Sequence, residues 1–294
     1  MNEILLFYKY ILIDDLSQTL ASQFELCKSL NLKGRILLSH EGVNGTLEGS
    51  LKDTNMYIEK MNDDPIFNNI DFKRSESNGE SFPKLSIKIR NEIVSGHLGS
   101  KDLNPNITTG NRMSPLQLHE LIKSKDEFYI VDMRNDYEQK VGRFNNSILS
   151  QFENFRDLPS ILKTIDHLKD KKIVTVCTGG VRCEKASGFL INNGFTKVYQ
   201  LDGGIVSYMK LYPNEDFLGK LYVFDQRIIM GYNTQDPNHI IIGKCERCKN
   251  TSEHYINCDN LLCHKHFILC ENCINEIGNA YCNDCEKKDN LVNK

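Results

Sequence analysis

The segment Cys177-Thr178-Gly179-Gly180-Val181-Arg182 carries the residue types of a thiolate site. It follows the β-branched apolar run Ile173-Val174-Thr175-Val176, which predicts a buried strand. It precedes Cys183-Glu184-Lys185-Ala186-Ser187-Gly188-Phe189-Leu190-Ile191, whose apolar positions recur at helical spacing. Two glycines allow the intervening backbone to curl and turn its N–H groups inward, forming a nest for an anion. The positive end of the following helix and the Arg182 guanidinium add to that field. A cysteine so placed has a depressed pKa and acts as a nucleophile. The competing reading is a structural cysteine buried beside a glycine turn. Thr178, Gly179, Gly180 and Val181 are the candidate anion cradle, with Cys177 and Arg182 as candidate catalytic residues.

A second group of cysteines points to metal. Cys245-x2-Cys248, Cys258-x4-Cys263, Cys270-x2-Cys273 and Cys282-x2-Cys285 place eight of the chain's eleven cysteines near its end. Two thiolates on one tight turn reach a single tetrahedral ion, and two such pairs complete its shell. Four pairs suffice for two structural zinc ions, with the sharing of pairs left open. His254, His264 and His266 are alternative ligands. An iron–sulfur cluster is the minor alternative.

These groups need elements to hold them, and the chain reads as three units. Over 1–103 the order is β-α-β-β-α-β, that of a ferredoxin-like α+β domain. Its strands are expected at Leu5–Ile11, Arg35–Leu38, from Gly42, and at Phe67–Lys73, with helices after Asp14 or Ser17 and over Leu51–Met61. The first helix should bury Leu20, Phe24, Cys27 and Leu30. A further strand, Phe82–Arg90, alternates Lys84, Lys88 and Arg90 on one face, which makes them candidate RNA contacts. A solvated strand face explains that row as well. Gly42-Val43-Asn44-Gly45 suits a hairpin or an anion loop, and His40 and Glu41 beside it are read as turn residues. Asn104–Asn111 is polar and turn-rich, a linker. From 112 to 216, strands alternating with helices imply an α/β unit with a parallel sheet. Ser114-Pro115 starts its first helix. Residues 217–294 form the cysteine-rich segment.

The chain has 294 residues and a net charge of −3, which argues against a strongly basic nucleic-acid binder. The opening Met1-Asn2-Glu3-Ile4 lacks the cationic start of a signal peptide, and no apolar run is long enough for a membrane span. Cysteine-rich and without an export signal, the chain is expected to be cytoplasmic, with reduced or metal-bound thiols.

The Cys-x4-Arg loop between a strand and a helix resembles the active-site loop of the rhodanese family, whose cysteine carries sulfur as a persulfide. Tyr129-Ile130-Val131-Asp132-Met133-Arg134, then Glu138, Gly142 and Ile148, resembles a second rhodanese signature, with Arg143-Phe144 where many members have His-Ile. Related phosphatases have one more residue between Cys and Arg, so the shorter loop favours sulfur over phosphate. Asp132, Arg134 and Cys183 are supporting candidates. The stretch Leu201-Asp202-Gly203-Gly204 resembles the family's closing turn.

Taken with Gly34-Arg35-Ile36, Glu41-Gly42-Val43-Asn44-Gly45 and Tyr222-Val223-Phe224-Asp225-x-Arg227, the chain resembles the rhodanese-domain tRNA uridine hydroxylases. The resemblance implies oxygen-dependent conversion of the wobble uridine of tRNA to 5-hydroxyuridine. It implies Cys177 as catalytic cysteine through a persulfide, molecular oxygen as co-substrate, and tRNA and a sulfur donor as partners. Two alternatives remain: a sulfurtransferase acting on cyanide, a thiol or a carrier protein, and a zinc-stabilised RNA-binding adaptor. In the tail, Arg247 and Lys249 are further candidate RNA contacts.

Overall fold

The protein is described here from a computed structural model, which covers residues 1–98, 103–263, 265–278 and 280–292. The first unit comprises β1 (Asn2–Tyr10), α1 (Leu16–Ser29), β2 (Lys33–Ser39), β3 (Gly42–Ser50), α2 (Leu51–Asp63), β4 (Lys73–Ser77) and β5 (Leu85–Ile89). Its sheet runs β4-β1-β3-β2-β5, with β5 parallel to β2 and the other pairs antiparallel. That is the ferredoxin-like order with one strand added at the edge. Both helices pack on one face, around Leu5, Phe7, Ile36, Leu38, Leu47 and Tyr57.

Local expectations fail here in three places. Phe67–Lys73 does not extend: Asn69 takes a left-handed φ of 57°, and the strand begins only at Lys73. Asparagine tolerates that conformation, so the Asn68-Asn69 pair makes a turn that still seats Phe67 and Ile70 in the core. Helix α1 is capped by Asp15, whose carboxylate accepts from the Gln18 N–H, and not by Asp14 or Ser17. Phe24 lies on the exposed side, while Gln23 is buried because its amide bonds the Tyr57 hydroxyl.

The second unit has β6 (Asn111–Met113), α3 (Pro115–Lys123), β7 (Phe128–Asp132), α4 (Asp136–Gln139), β8 (Gly142–Phe144) and β9 (Ile148–Leu149). It continues with a 3-10 turn over Phe155–Ile161, α5 (Leu162–Ile165), β10 (Lys172–Val176), α6 (Val181–Asn192), β11 (Lys197–Leu201) and α7 (Gly204–Leu211). Its sheet is parallel, in the order β6-β11-β10-β7-β9. Ser114 and Gln117 close a capping box at α3, with Pro115 in the first turn. The central strand β10 is buried on both faces, between the Ile173–Phe189–Leu190 and Val174–Val176–Ile205 clusters. The polar stretch ahead of β6 is docked rather than free: Gly110 N–H donates to Ser187 Oγ at 2.7 Å, and Thr109 Oγ1 to Glu184 Oε2 at 2.8 Å.

The tail holds β12 (Phe217–Gly219), β13 (Leu221–Tyr222), β14 (Ile229–Met230), β15 (Tyr255–Asn257), β16 (His266–Ile268), α8 (Glu271–Ile277) and α9 (Asn283–Val292). β12 pairs with β8, tying the tail to the second unit. The core of its last part is made mostly of cysteines. Among the described residues, no helix is long and apolar enough to cross a membrane.

Candidate active site and metal centres

Cys177 lies one residue past the end of β10, and α6 begins at Val181, so the loop sits at the carboxyl end of a central parallel strand. The thiol is fully buried, and the Gly180 N–H donates to Sγ at 3.3 Å. Gly180 has φ 103°, and a Cβ there would meet the Tyr8 hydroxyl at 2.8 Å. The first turn of α7 fixes the loop from beneath: Ile205 N–H donates to Cys177 O at 2.9 Å and Val206 N–H to Thr178 O at 3.0 Å. Burial pushes the Cys177 thiol up, but it is outweighed by the Cys183 thiol, the Arg182 charge and backbone N–H groups. The net result is a pKa lowered to about 6. Cys183, in the first turn of α6, is buried and held well above the ordinary thiol value by burial and by Cys177 itself. Cys177 is therefore the thiolate of the pair.

Arg182 directs its fork to Glu138, at 2.5 and 2.8 Å, and also donates to Thr178 Oγ1 at 3.2 Å. Glu138 is fully buried, so this pair braces the loop while its charge still reaches Cys177. Asp132 and Arg134 act one step further out. Arg134 is fully buried, bonds Asp132 through Nε and Nη2, and donates to Gly142 O at 2.7 Å and Glu138 O at 3.3 Å. They hold the α4 turn that delivers Glu138.

The first unit closes over the loop. Tyr8 on β1 donates to Glu184 Oε1 at 3.0 Å, and Tyr10 to Val181 O at 3.2 Å. Lys185, fully buried, bridges Glu41 at 2.9 Å and Glu92 at 3.2 Å. Glu41 is thus an interface residue, and His40 Nδ1 lies 2.7 Å from Ile13 O. A cavity of about 580 Å³ opens between the units, walled by Cys177, Thr178 and Arg182, by Tyr8, Arg35 and Asn44, and by Asn135, Arg156 and Phe224. Its size suits a nucleotide. Asn135 lines that wall, and among the described residues its buried Oδ1 has no hydrogen-bond partner.

Sequence spacing does not indicate Tyr8 or Asn135, because each reaches the cavity through long-range packing, and Phe224, which stands in the Tyr222–Arg227 motif, gains its place on the cavity wall only there. Glu138 stood in the upstream signature, and only its contact with Arg182 reveals its task. Lys84, Lys88 and Arg90 are exposed beside edge strand β5. Ser86 pairs with Arg35 and Lys88 with Leu37, and Arg35 and Leu37 line the cavity. The basic row therefore lies on the cavity face of the sheet. Arg247 pairs with Glu286 at 3.6 Å, and Lys249 donates to Glu246 O at 2.7 Å.

The eight tail cysteines form two groups, Cys245–Cys248–Cys270–Cys273 and Cys258–Cys263–Cys282–Cys285, with the sulfurs of each within 4.8 Å of one another. Cys248–Cys270 and Cys263–Cys282 stand at 3.6 Å. A tetrahedral ion with metal–sulfur bonds of about 2.3 Å requires sulfurs about 3.8 Å apart, so both groups fit one. The pairs interleave, first with third and second with fourth. His266 instead bonds the Tyr222 hydroxyl at 2.6 Å and His254 lies against Leu269 O, while His264 is outside the described residues.

Residues 2–93 match the UPF0176 acylphosphatase like domain, 114–211 the rhodanese-like domain and 218–286 the rhodanase C-terminal domain. A tRNA uridine(34) hydroxylase of Cytophaga hutchinsonii is 40% identical over 97% of this chain and 89% of its own length. The tRNA uridine(34) hydroxylase of Staphylococcus haemolyticus is 43% identical over 97% of this chain and 89% of its own. That of Bacillus cereus is 43% identical over 91% and 83%. On this similarity along nearly its whole length, the chain belongs to the tRNA uridine(34) hydroxylase family.

Proposed function

We propose that the protein hydroxylates C5 of the wobble uridine of tRNA, using molecular oxygen and the Cys177 thiolate. The observation that carries this is the thiolate of lowered pKa at the floor of a nucleotide-sized cavity walled by three units. Balance requires that C5–H become C5–OH, with one oxygen atom entering the base and the other leaving as water. An external reductant supplies two electrons. The Cys177 thiolate attacks the outer sulfur of a donor persulfide, whose own thiolate leaves, and so becomes a persulfide in a nest whose N–H groups stabilise the terminal sulfur anion. Arg35 and Arg156, on the cavity wall, meet the backbone phosphates. Lys84, Lys88 and Arg90 extend that contact along the same sheet face. The units are read as 1–103, 112–216 and 217–294, acting together in the cytoplasm. The eight tail cysteines hold two zinc ions, which shape the tail and supply no redox chemistry.

The nest around Cys177 also serves a second reading, transfer of persulfide sulfur to a small acceptor or carrier protein. Mass spectrometry of tRNA nucleosides from cells with and without the gene separates the two. Loss of 5-hydroxyuridine on deletion supports hydroxylation, and an unchanged nucleoside profile refutes it.

A further inference from the structure

A second groove of about 640 Å³ runs between the central unit and the cysteine-rich tail, and it shares Asn154 and Phe224 with the Cys177 cavity. Phe224 stands between the two with 47% of its surface exposed. An apolar ring so open usually sits on a mobile loop, yet this one is pinned from both sides. Arg35 of β2 donates to the Phe224 carbonyl. The next residue, Asp225, holds Arg227 at 2.8 and 2.7 Å, and Arg227 reaches Ser75 Oγ at 3.1 Å and Glu76 O at 3.3 Å. Tyr222, on the other side, is buried and tied to His266. Its ring meets Phe224 at 5.3 Å and Tyr137 at 5.2 Å, both edge to face. The backbone that carries the ring is therefore anchored while the ring stays exposed, an arrangement that suits stacking of a flat ligand.

Charge decides what kind of ligand the groove takes. Its lysines are matched, Lys265 with Asp284 at 3.1 Å and Lys140 with Glu246 at 3.6 Å, and Asp136 and Glu153 add negative charge. A phosphate is disfavoured there, whereas an uncharged base is not. Arg35 and Arg156 stand on the other side of the partition, in the Cys177 cavity.

We propose that this groove is a base-binding site for a nucleotide adjacent to the target uridine in single-stranded RNA, with that base stacked on the groove side of Phe224 and the Arg182 guanidinium of the Cys177 cavity 5.9 Å from the ring centroid. The proposal rests on the tRNA reading above and names a site that reading does not need. Unpaired bases are recognised by stacking on aromatic rings, worth on the order of ten-fold or more in affinity per base.

The test compares synthetic anticodon stem-loops carrying the target uridine: one intact, one abasic at the 5′ neighbour and one abasic at the 3′ neighbour. With wild-type protein, one abasic substrate should lose about ten-fold or more in kcat/KM, mostly through KM. Phe224→Leu, which keeps bulk but not the ring face, should erase that penalty, and Phe224→Trp should keep it. A wild-type thermal unfolding midpoint in both variants verifies the fold. Hydroxylation of the intact stem-loop with neither abasic change costing more than about two-fold would overturn the groove, as would an equal penalty in Phe224→Leu. No hydroxylation of the intact stem-loop by the wild type would instead bring down the tRNA reading and this proposal with it.

Discussion

At the scale of single residues, the site turns on which of two buried thiols ionises. The N–H nest and Arg182 face Cys177, and the Cys183 thiol serves it as a donor, so the charge belongs to Cys177. Alkylation of Cys177 should rise with pH through about 6 and level off by neutrality, since only the thiolate reacts. A profile still rising near pH 9, where an ordinary thiol titrates, would contradict the assignment. Arg182→Lys keeps the charge and loses the fork onto Glu138. It should lower stability by about 1–3 kcal/mol in denaturant unfolding and shift the alkylation profile upward. The loop itself was legible in the sequence, because a β-branched run, two glycines and a helical period are local signals. The place of Asn135 on the cavity wall was not, since only long-range packing brings that wall together.

At the scale of elements, legibility followed the range of the interactions. The Ser114 cap and Pro115 start of α3 are written within a few residues and stand where expected, whereas the strand expected over Phe82–Arg90 shortens to Leu85–Ile89 and leaves Lys84 and Arg90 just outside it. The strand expected at Phe67–Lys73 moved because an Asn-Asn turn placed the same apolar side chains in the core without extending the chain. The sharing of cysteine pairs was unreadable for the same reason: spacing sets each pair, and the fold of the β15–β16 hairpin sets which pairs meet. Because those cysteines form most of the tail's core, metal removal should unfold it. Chelation should release about two zinc ions per chain and abolish amide-exchange protection beyond Gly243, while the parallel sheet keeps its own. Persistent protection in metal-free protein would refute the structural role. Gly180→Ala meets both a left-handed φ and the Tyr8 hydroxyl. It should cost about 1–3 kcal/mol and suppress Cys177 reactivity, readable by thermal unfolding and alkylation.

At the scale of the whole molecule, three units converge on one thiol, and that convergence argues for a large substrate. A lone parallel-sheet unit could present the loop, yet here β1 closes it from above and Phe224 of the tail walls its side. Net charge is −3, so RNA affinity must come from local rows rather than from the overall field. Replacing Lys84, Lys88 and Arg90 by Ala should weaken tRNA binding and flatten its salt dependence by about two units of log–log slope, leaving Cys177 alkylation unchanged. An unaltered slope would remove that face from the RNA path. The central claim, that Cys177 directs oxygen into a wobble uridine, is tested most directly by incubating purified protein and unmodified tRNA with a reductant under isotopically heavy oxygen gas. The account predicts 5-hydroxyuridine carrying one heavy oxygen atom with the wild type and none with Cys177→Ser. Product without heavy oxygen, or equal product from the Cys177→Ser variant, would contradict it.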